Sequence, residues 1–281
     1  MDDAIGGDRR AFERLIRPHM GPLRSFLYRM IAHPEDAQDL AQETALRAHQ
    51  KLVTFRGSSS FRTWLFSIGS RLCLDLLRAR RRWPVEAQIE GEKTALASTA
   101  LMQSLDELVR EDDFRFEYRQ HVAYCFSCVA RSLPPEESAA LLLREVYLFD
   151  GPAAAKVLGM SASTLRHRLS AAREAMKSRF EGYCALIGKQ GVCYQCAALR
   201  DHCPEEHRGD APQAIAAADA SPDDKLGHRL RVVRDADLEA GPGHEVHELL
   251  FRFMSDLWER PRGEAAPRAT DRRRASSPSE A

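Results

Sequence analysis

Three residues in the stretch HVAYCFSC have the types and the spacing that metal or thiol chemistry needs. His121, Cys125 and Cys128 stand at i, i+4 and i+7, so a helix would carry all three on one face. Imidazole and thiolate are the ligands zinc prefers, and a fourth ligand would close a tetrahedral structural site. Cys184, Cys193 and Cys196, the last two in C-x-x-C spacing, supply candidates further along the chain. Three readings of Cys125 and Cys128 stand side by side: zinc ligands, redox-active thiols, or thiols packed in a core, where cysteine is among the most buried residue types. Cys193 and Cys196 lie in a glycine-bearing, less apolar stretch that favours metal or redox chemistry. Cys73, set among leucines, reads as a core thiol.

A different chemistry is suggested by two basic clusters. Arg166, His167, Arg168, Arg173, Lys177 and Arg179 fall on what reads as the outer face of one long helix, where cations could meet phosphates and base edges. Arg71, Arg78, Arg80, Arg81 and Arg82 form a second cluster beside Trp64 and Trp83. Arginines with aromatics can hold an unpaired strand by charge and stacking, although Trp64 also lies on an apolar stripe that suits a core.

The elements that must position these groups are helical. Phe12, Leu15 and Ile16, then Leu23, Phe26, Leu27, Met30 and Ile31, repeat at helical spacing. Pro34 fits a helix's first turn, and Ala37, Leu40, Ala41, Thr44, Ala48 and Leu52 then keep one face apolar. FRGSSSF predicts a loop, and Trp64, Leu65, Ile68 and Leu72 restart the period. From Pro84 the periodicity weakens and acidic residues gather, which suggests a linker with some helix. Near LPPEE a second unit gathers strength, with Leu142, Leu143 and Val146 facing inward. A break at Asp150 and Gly151 precedes a short helix to Leu158, Gly159 suits the left-handed cap, and Ser161 suits the N-cap of a long helix. Helix, tight glycine turn, helix is the helix-turn-helix arrangement. Beyond it, a helix over His244 to Glu259 would place Val246, Leu249, Leu250, Phe253, Met254, Leu257 and Trp258 on one face, which either docks back or binds a partner.

Composition narrows the function classes. Lys plus Arg and Asp plus Glu are both 41 in 281 residues, so any DNA binding must rest on local patches rather than on total charge. No apolar run reaches the roughly 18 residues of a membrane span, and MDDAIGGDRRAF lacks the features of a signal peptide. A cytoplasmic protein with reduced thiols and no membrane partner is expected.

The segment PEDAQDLAQET, Pro34 to Thr44, followed by FRGSSSFRTWLFSIGSRLCLDLLRARRR, resembles region 2 of a group 4 (extracytoplasmic function, ECF) sigma factor of the sigma-70 family. LPPEESAALLLREV together with AAAKVLGMSASTLRHRLSAAREAM resembles its region 4. The expected fold is all-α. A region 2 domain over 8–83 and a region 4 helix-turn-helix domain over 118–181 are joined by a linker, 84–117. A Cys-rich segment over 182–203 and a partly disordered extension over 204–281 follow.

The resemblance implies roles by position. Asp39, Gln42 and Glu43 match the polar face that grips the β′ clamp helices of core RNA polymerase, whose β and β′ subunits are the expected partners. Phe55, Arg56, Ser58 and Ser59 match the loop that captures a flipped minus-10 base, and the helix that follows, with Arg78, Arg80 and Arg81, matches the one that assists strand separation. Arg166, His167 and Arg168 match the minus-35 reading positions, with Ser163, Thr164 and Arg173 as flanking DNA-binding candidates. Ala171 stands where the family often carries a further basic residue. An ECF factor has no active site and requires no cofactor; zinc is the one candidate. A separate anti-sigma factor is left open, and His-x3-Cys-x2-Cys is itself similar to the zinc signature of anti-sigma factors. Two other readings compete: a stand-alone helix-turn-helix regulator, which would not need the region 2-like helix, and a thiol oxidoreductase, which would need a βαβ context around C-x-x-C that is not visible.

Overall fold

The computed structural model describes residues 4, 6–80, 83–110, 118–183, 199, 225–236, 238 and 243–259. Every regular element among them is helical. Asp8 opens α1 (Arg9–Ile31), its carboxylate accepting the Arg10 amide at 2.8 Å. Pro18 and Pro22 lie inside this helix, so its ladder lacks two amide donors, and the buried residues concentrate after them, from Leu23 to Ile31. Ala32 closes α1 in the left-handed conformation, and Pro34 at the first position starts α2 (Pro34–Lys51), as its fixed φ predicts. A 3-10 turn over Leu52–Thr54 leads into the loop before α3 (Phe61–Ala79), which Ser60 caps by accepting the Thr63 amide at 3.1 Å.

Helices α1, α2 and α3 pack mutually. They meet tightly at Gly69 of α3: a Cβ there would stand 2.8 Å from Leu23 Cδ1 and 3.2 Å from Thr44 Oγ1. Glycine leaves room here for the Leu23 and Thr44 side chains to lie against the α3 backbone.

The stretch expected as a linker with some helix forms two helices, α4 (Ala87–Ala97) and α5 (Thr99–Val109), with Leu101, Leu105 and Val109 buried. Next come α6 (Tyr118–Ala130) and α7 (Pro135–Leu141), which runs on into a π turn, Leu142–Val146. Asp150 caps α8 (Gly151–Leu158), accepting the Ala153 amide at 2.7 Å, and Gly159 ends it at φ 62°. Ser161 Oγ accepts the Thr164 amide at 3.0 Å at the head of α9 (Ala162–Tyr183).

Two helices complete the described chain. α11 (His244–Glu259) matches the expected span. α10 (Lys225–Asp235) falls in a stretch for which no helix was expected. Neither stands apart: α10 packs on α6, the π turn and α9, and α11 packs on α4, α5 and α6. No described helix is long and apolar enough to cross a membrane.

Candidate nucleic-acid interface

On α2 the amphipathic pattern turns Ala37, Ala41, Thr44 and Ala48 inward and leaves Asp39 and Gln42 exposed. Glu43, half-buried, accepts from Arg47 at 2.6 Å one turn on. In the following loop, Gly57 takes φ 66°. Phe55 is half-buried: its ring lies 5.9 Å from Phe61 and 5.2 Å from Trp64, centroid to centroid, which makes Trp64 part of a half-buried aromatic cluster at the head of α3. Arg56 and Ser58 are exposed and Ser59 half-buried.

The arginines at the end of α3 hold carboxylates. Arg78 donates to Asp75 at 2.9 Å and to Glu136 of α7 at 3.0 Å, and Arg80 donates to Asp36 of α2 at 2.6 Å. Burial by itself would raise the Glu136 carboxyl, but backbone hydrogen bonding and the Arg78 contact hold it below the usual carboxylate range. Arg81 lies outside the described residues. Trp83, expected beside the arginines as a stacking aromatic, is instead among the most deeply buried side chains, with the Arg131 guanidinium 5.3 Å from its ring centroid. An indole this apolar is worth more in the core than on a strand-binding surface.

On α9 the stripe Leu165, Leu169, Ala172 and Met176 is buried. Ser163, Thr164, Arg166, His167, Arg173 and Lys177 are exposed and Arg168 is half-buried. Thr164 serves the helix cap, its Oγ1 lying 2.8 Å from Ser161 Oγ. Arg173 is ion-paired with Glu145 of the π turn. Arg179 corrects the expected stripe: it is buried, donating to Ser132 Oγ at 2.6 Å, because the last turns of α9 lie against α6 and α7 rather than in solvent.

The helix-turn-helix unit packs against the 55–60 loop and α3. Helix α8 packs along α3. Lys156 of α8 donates to the Ser58 carbonyl at 2.7 Å and to its hydroxyl at 3.0 Å, so the helix-turn-helix touches the 55–60 loop directly. Arg62 of α3 donates to the Tyr147 carbonyl at 2.7 Å and lies 4.1 Å from the Phe149 ring centroid. The Tyr147 hydroxyl in turn donates to Ser25 Oγ of α1 at 3.0 Å. Lys156 and Arg62 did not figure among the expected site residues. Lys156 alone carries charge in the apolar helix GPAAAKVL, and that was the available signal.

His121, Cys125 and Cys128 are all buried on α6, as is every residue from Gln120 to Ala130. They do not form a metal site together: among the described residues no group of three or more His, Cys, Asp or Glu could hold a metal ion. His121 Nδ1 lies 2.9 Å from His247 Nε2 of α11. Gln88 of α4 donates to the Cys128 carbonyl at 3.1 Å, with the Cys128 sulfur 3.7 Å away. Cys184, Cys193 and Cys196 lie outside the described residues. Burial pushes the Cys73 thiol up to about 12, against the smaller opposing effect of Arg131 and Arg80, which suits the core role read from its leucine neighbours.

The model of sigma-70 region 2 matches residues 15–83, and that of sigma-70 region 4 matches residues 124–176. The chain is 30% identical over 177 residues to the ECF RNA polymerase sigma factor SigG of Mycobacterium tuberculosis, covering 59% of this chain and 48% of that protein. It thus spans about half the length of that relative. It is 29% identical over 174 residues to the RNA polymerase sigma-H factor of Pseudomonas aeruginosa, covering 60% of this chain and 86% of that protein. Among solved structures, CnrH in complex with the cytosolic domain of CnrY aligns at a TM-score of 0.45 and 23% identity, over 63% of this chain and 92% of that one.

Proposed function

We propose that the chain is an ECF sigma factor of the sigma-70 family, whose regions 2 and 4 it matches in that order, and that it binds core RNA polymerase and directs it to a class of promoters. Region 2 contributes the exposed Asp39 and Gln42, with Glu43 beside them, as the contact to the polymerase clamp. The loop around Arg56 and Ser58 receives minus-10 DNA. Region 4 presents Arg166 and His167 to base edges and Arg173 and Lys177 to phosphates at the minus-35 element. The observation that carries the reading is the coexistence, in one chain, of an exposed basic face on a helix-turn-helix and an exposed acidic face on the region 2 helix. A stand-alone repressor needs only the first. The work is binding and strand capture, and it requires no cofactor.

Mixing the purified chain with core polymerase and fractionating by size tests this. Co-elution, with promoter-dependent transcripts that vanish on Arg166→Ala plus His167→Ala, is expected. Sequence-specific duplex binding that is indifferent to polymerase, with no co-elution, would establish the stand-alone regulator instead.

A further inference from the structure

Helices α10 and α11 sit on both promoter-reading units at once, and the seats they occupy are polar. On region 2, Arg29 is buried in the last turn of α1. Its guanidinium donates to the carbonyls of Val233 and Ala236, each at 3.0 Å. These carbonyls end α10, where a helix has unsatisfied acceptors and a partial negative charge, so a buried cation is matched to a helix C-terminus. Arg252 of α11 bridges Glu35 of α2 and its own neighbour Glu248, both at 2.5 Å, and Phe251 packs edge-on against Tyr28.

On the region 4 side, Tyr124 of α6 donates to the Leu238 carbonyl at 2.6 Å and lies 2.7 Å from His244 Nδ1. Gln120 accepts the Gly243 amide at 3.0 Å. Arg234 pairs with Glu145, at 3.7 Å, and Arg229 lies 4.0 Å from the Phe180 ring centroid. A buried arginine, glutamine, histidine and tyrosine would be costly inside two independent domains. The extension gives each of the four at least one hydrogen-bond partner, Arg29 through Nη2 alone, its Nε and Nη1 being buried without one.

The seat also borders the surface assigned above to polymerase. A cleft of about 460 Å³ lies between α2 and α11, lined by Glu35, Gln38 and Asp39 on one wall and by His244, Glu248 and Arg252 on the other. Arg252 thereby brings a cation to the acidic face that a polymerase clamp would use.

We infer that the 225–259 segment is an intramolecular partner of regions 2 and 4, a strap that holds the minus-35 helix-turn-helix against the minus-10 loop and competes with core polymerase for the α2 face. The inference rests on the sigma-factor reading. Promoter engagement requires Lys156 to leave Ser58, and the strap opposes that separation through Arg29, Arg234 and Arg252. Its release couples polymerase binding to opening, as two ligands compete through one conformational equilibrium.

The test uses the full chain and the double variant Arg234→Glu plus Arg252→Glu, both of which alter half-buried or exposed side chains of the strap alone. Affinity for core polymerase is measured by titration, and separation of the units by energy transfer between dyes at positions 46 and 177. The variant is expected to bind polymerase about tenfold more tightly, within the usual range of such couplings, with reduced transfer. Adding Glu35→Arg should restore high transfer by re-forming the Glu35 contact with reversed charges. Equal affinity and equal transfer in the wild type and the double variant, with both binding polymerase, overturns the strap and leaves the sigma reading intact. Binding by neither chain overturns the sigma reading, and the inference with it.

Discussion

Acidification should loosen α11, and the size of the effect follows from one histidine. His247 is wholly buried, with its Nε2 against His121 at 2.9 Å, its Nδ1 against the Gly243 carbonyl at 2.7 Å and its ring stacked on Tyr124 at 4.9 Å. Burial first, then the neighbouring His121, lowers its pKa from 6.5 to about 3, and the Gly243 carbonyl only partly offsets this. In the released helix the ring returns to its ordinary value. A histidine depressed in the docked state contributes stability that is complete above pH 6.5 and is lost as pH falls from there toward 3. At pH 5 the gap of one and a half units between the ordinary value and the ambient pH corresponds to about 2 kcal/mol, or about thirtyfold in the opening equilibrium. His244 acts in the opposite sense. The Glu248 carboxylate 2.9 Å away raises its pKa, so its contribution is present at low pH and fades as pH rises through the raised value. Comparison with His247→Gln separates the two. Hydrogen exchange of the 244–259 amides, corrected for intrinsic rates, should speed up about thirtyfold more in the wild type than in His247→Gln between pH 7.5 and pH 5. Parallel profiles in the two chains would refute the assignment of a neutral, docked His247.

Other perturbations test the packing and the socket. Gly69→Ala should cost about 1–3 kcal/mol in urea unfolding, because Leu23 and Thr44 are both buried and neither can retreat from the added methyl. Arg29→Met should remove two charge-assisted hydrogen bonds, each worth about 1.5–3 kcal/mol, and appear as faster proteolytic cleavage within 225–259 while regions 2 and 4 resist. Cys73, with its thiol at about 12 and no exposure, should resist thiol reagents until the fold opens, so its labelling rate should follow unfolding. Ser161→Ala should destabilise α9 by about 1 kcal/mol through loss of its cap, read as a lower thermal midpoint.

Much of the helical framework was legible because it rests on local rules. Pro34, Asp150, Gly159 and Ser161 act through φ restriction or through a single hydrogen bond to a nearby amide, and each takes the expected place. Helical spacing puts His121, Cys125 and Cys128 on one side of α6, but α6 is buried all round from Gln120 to Ala130. Periodicity says that a face is covered, however, and not by what. His121 meets His247, 126 residues along the chain. Helix α10 escaped notice because KLGHRLRVVRD is strongly charged, and its few apolar positions gain meaning only against α6 and the π turn. Arg179 and Trp83 were assigned to surfaces by the company they keep in sequence, while long-range packing put both inside. Within the site, the exposed faces of α2 and α9 were readable from amphipathicity. The Lys156–Ser58 and Arg62–Tyr147 contacts, which join distant segments, were not.

The π turn at Leu142–Val146 gives the reading helix an unusual ionic history. It places Glu145 where the carboxylate faces Arg173 on one side and Arg234 on the other. Arg173 therefore carries its counterion inside the protein. In the proposed promoter complex, a phosphate that takes that arginine displaces a tethered carboxylate rather than a free anion, so no ion enters bulk solution from the protein side. The exchange gains little translational entropy on that account, and Glu145 must find Arg234 or turn to water as the DNA arrives. If Arg173 meets phosphate as proposed, a carboxylate of the π turn thus takes part in setting how strongly the complex holds.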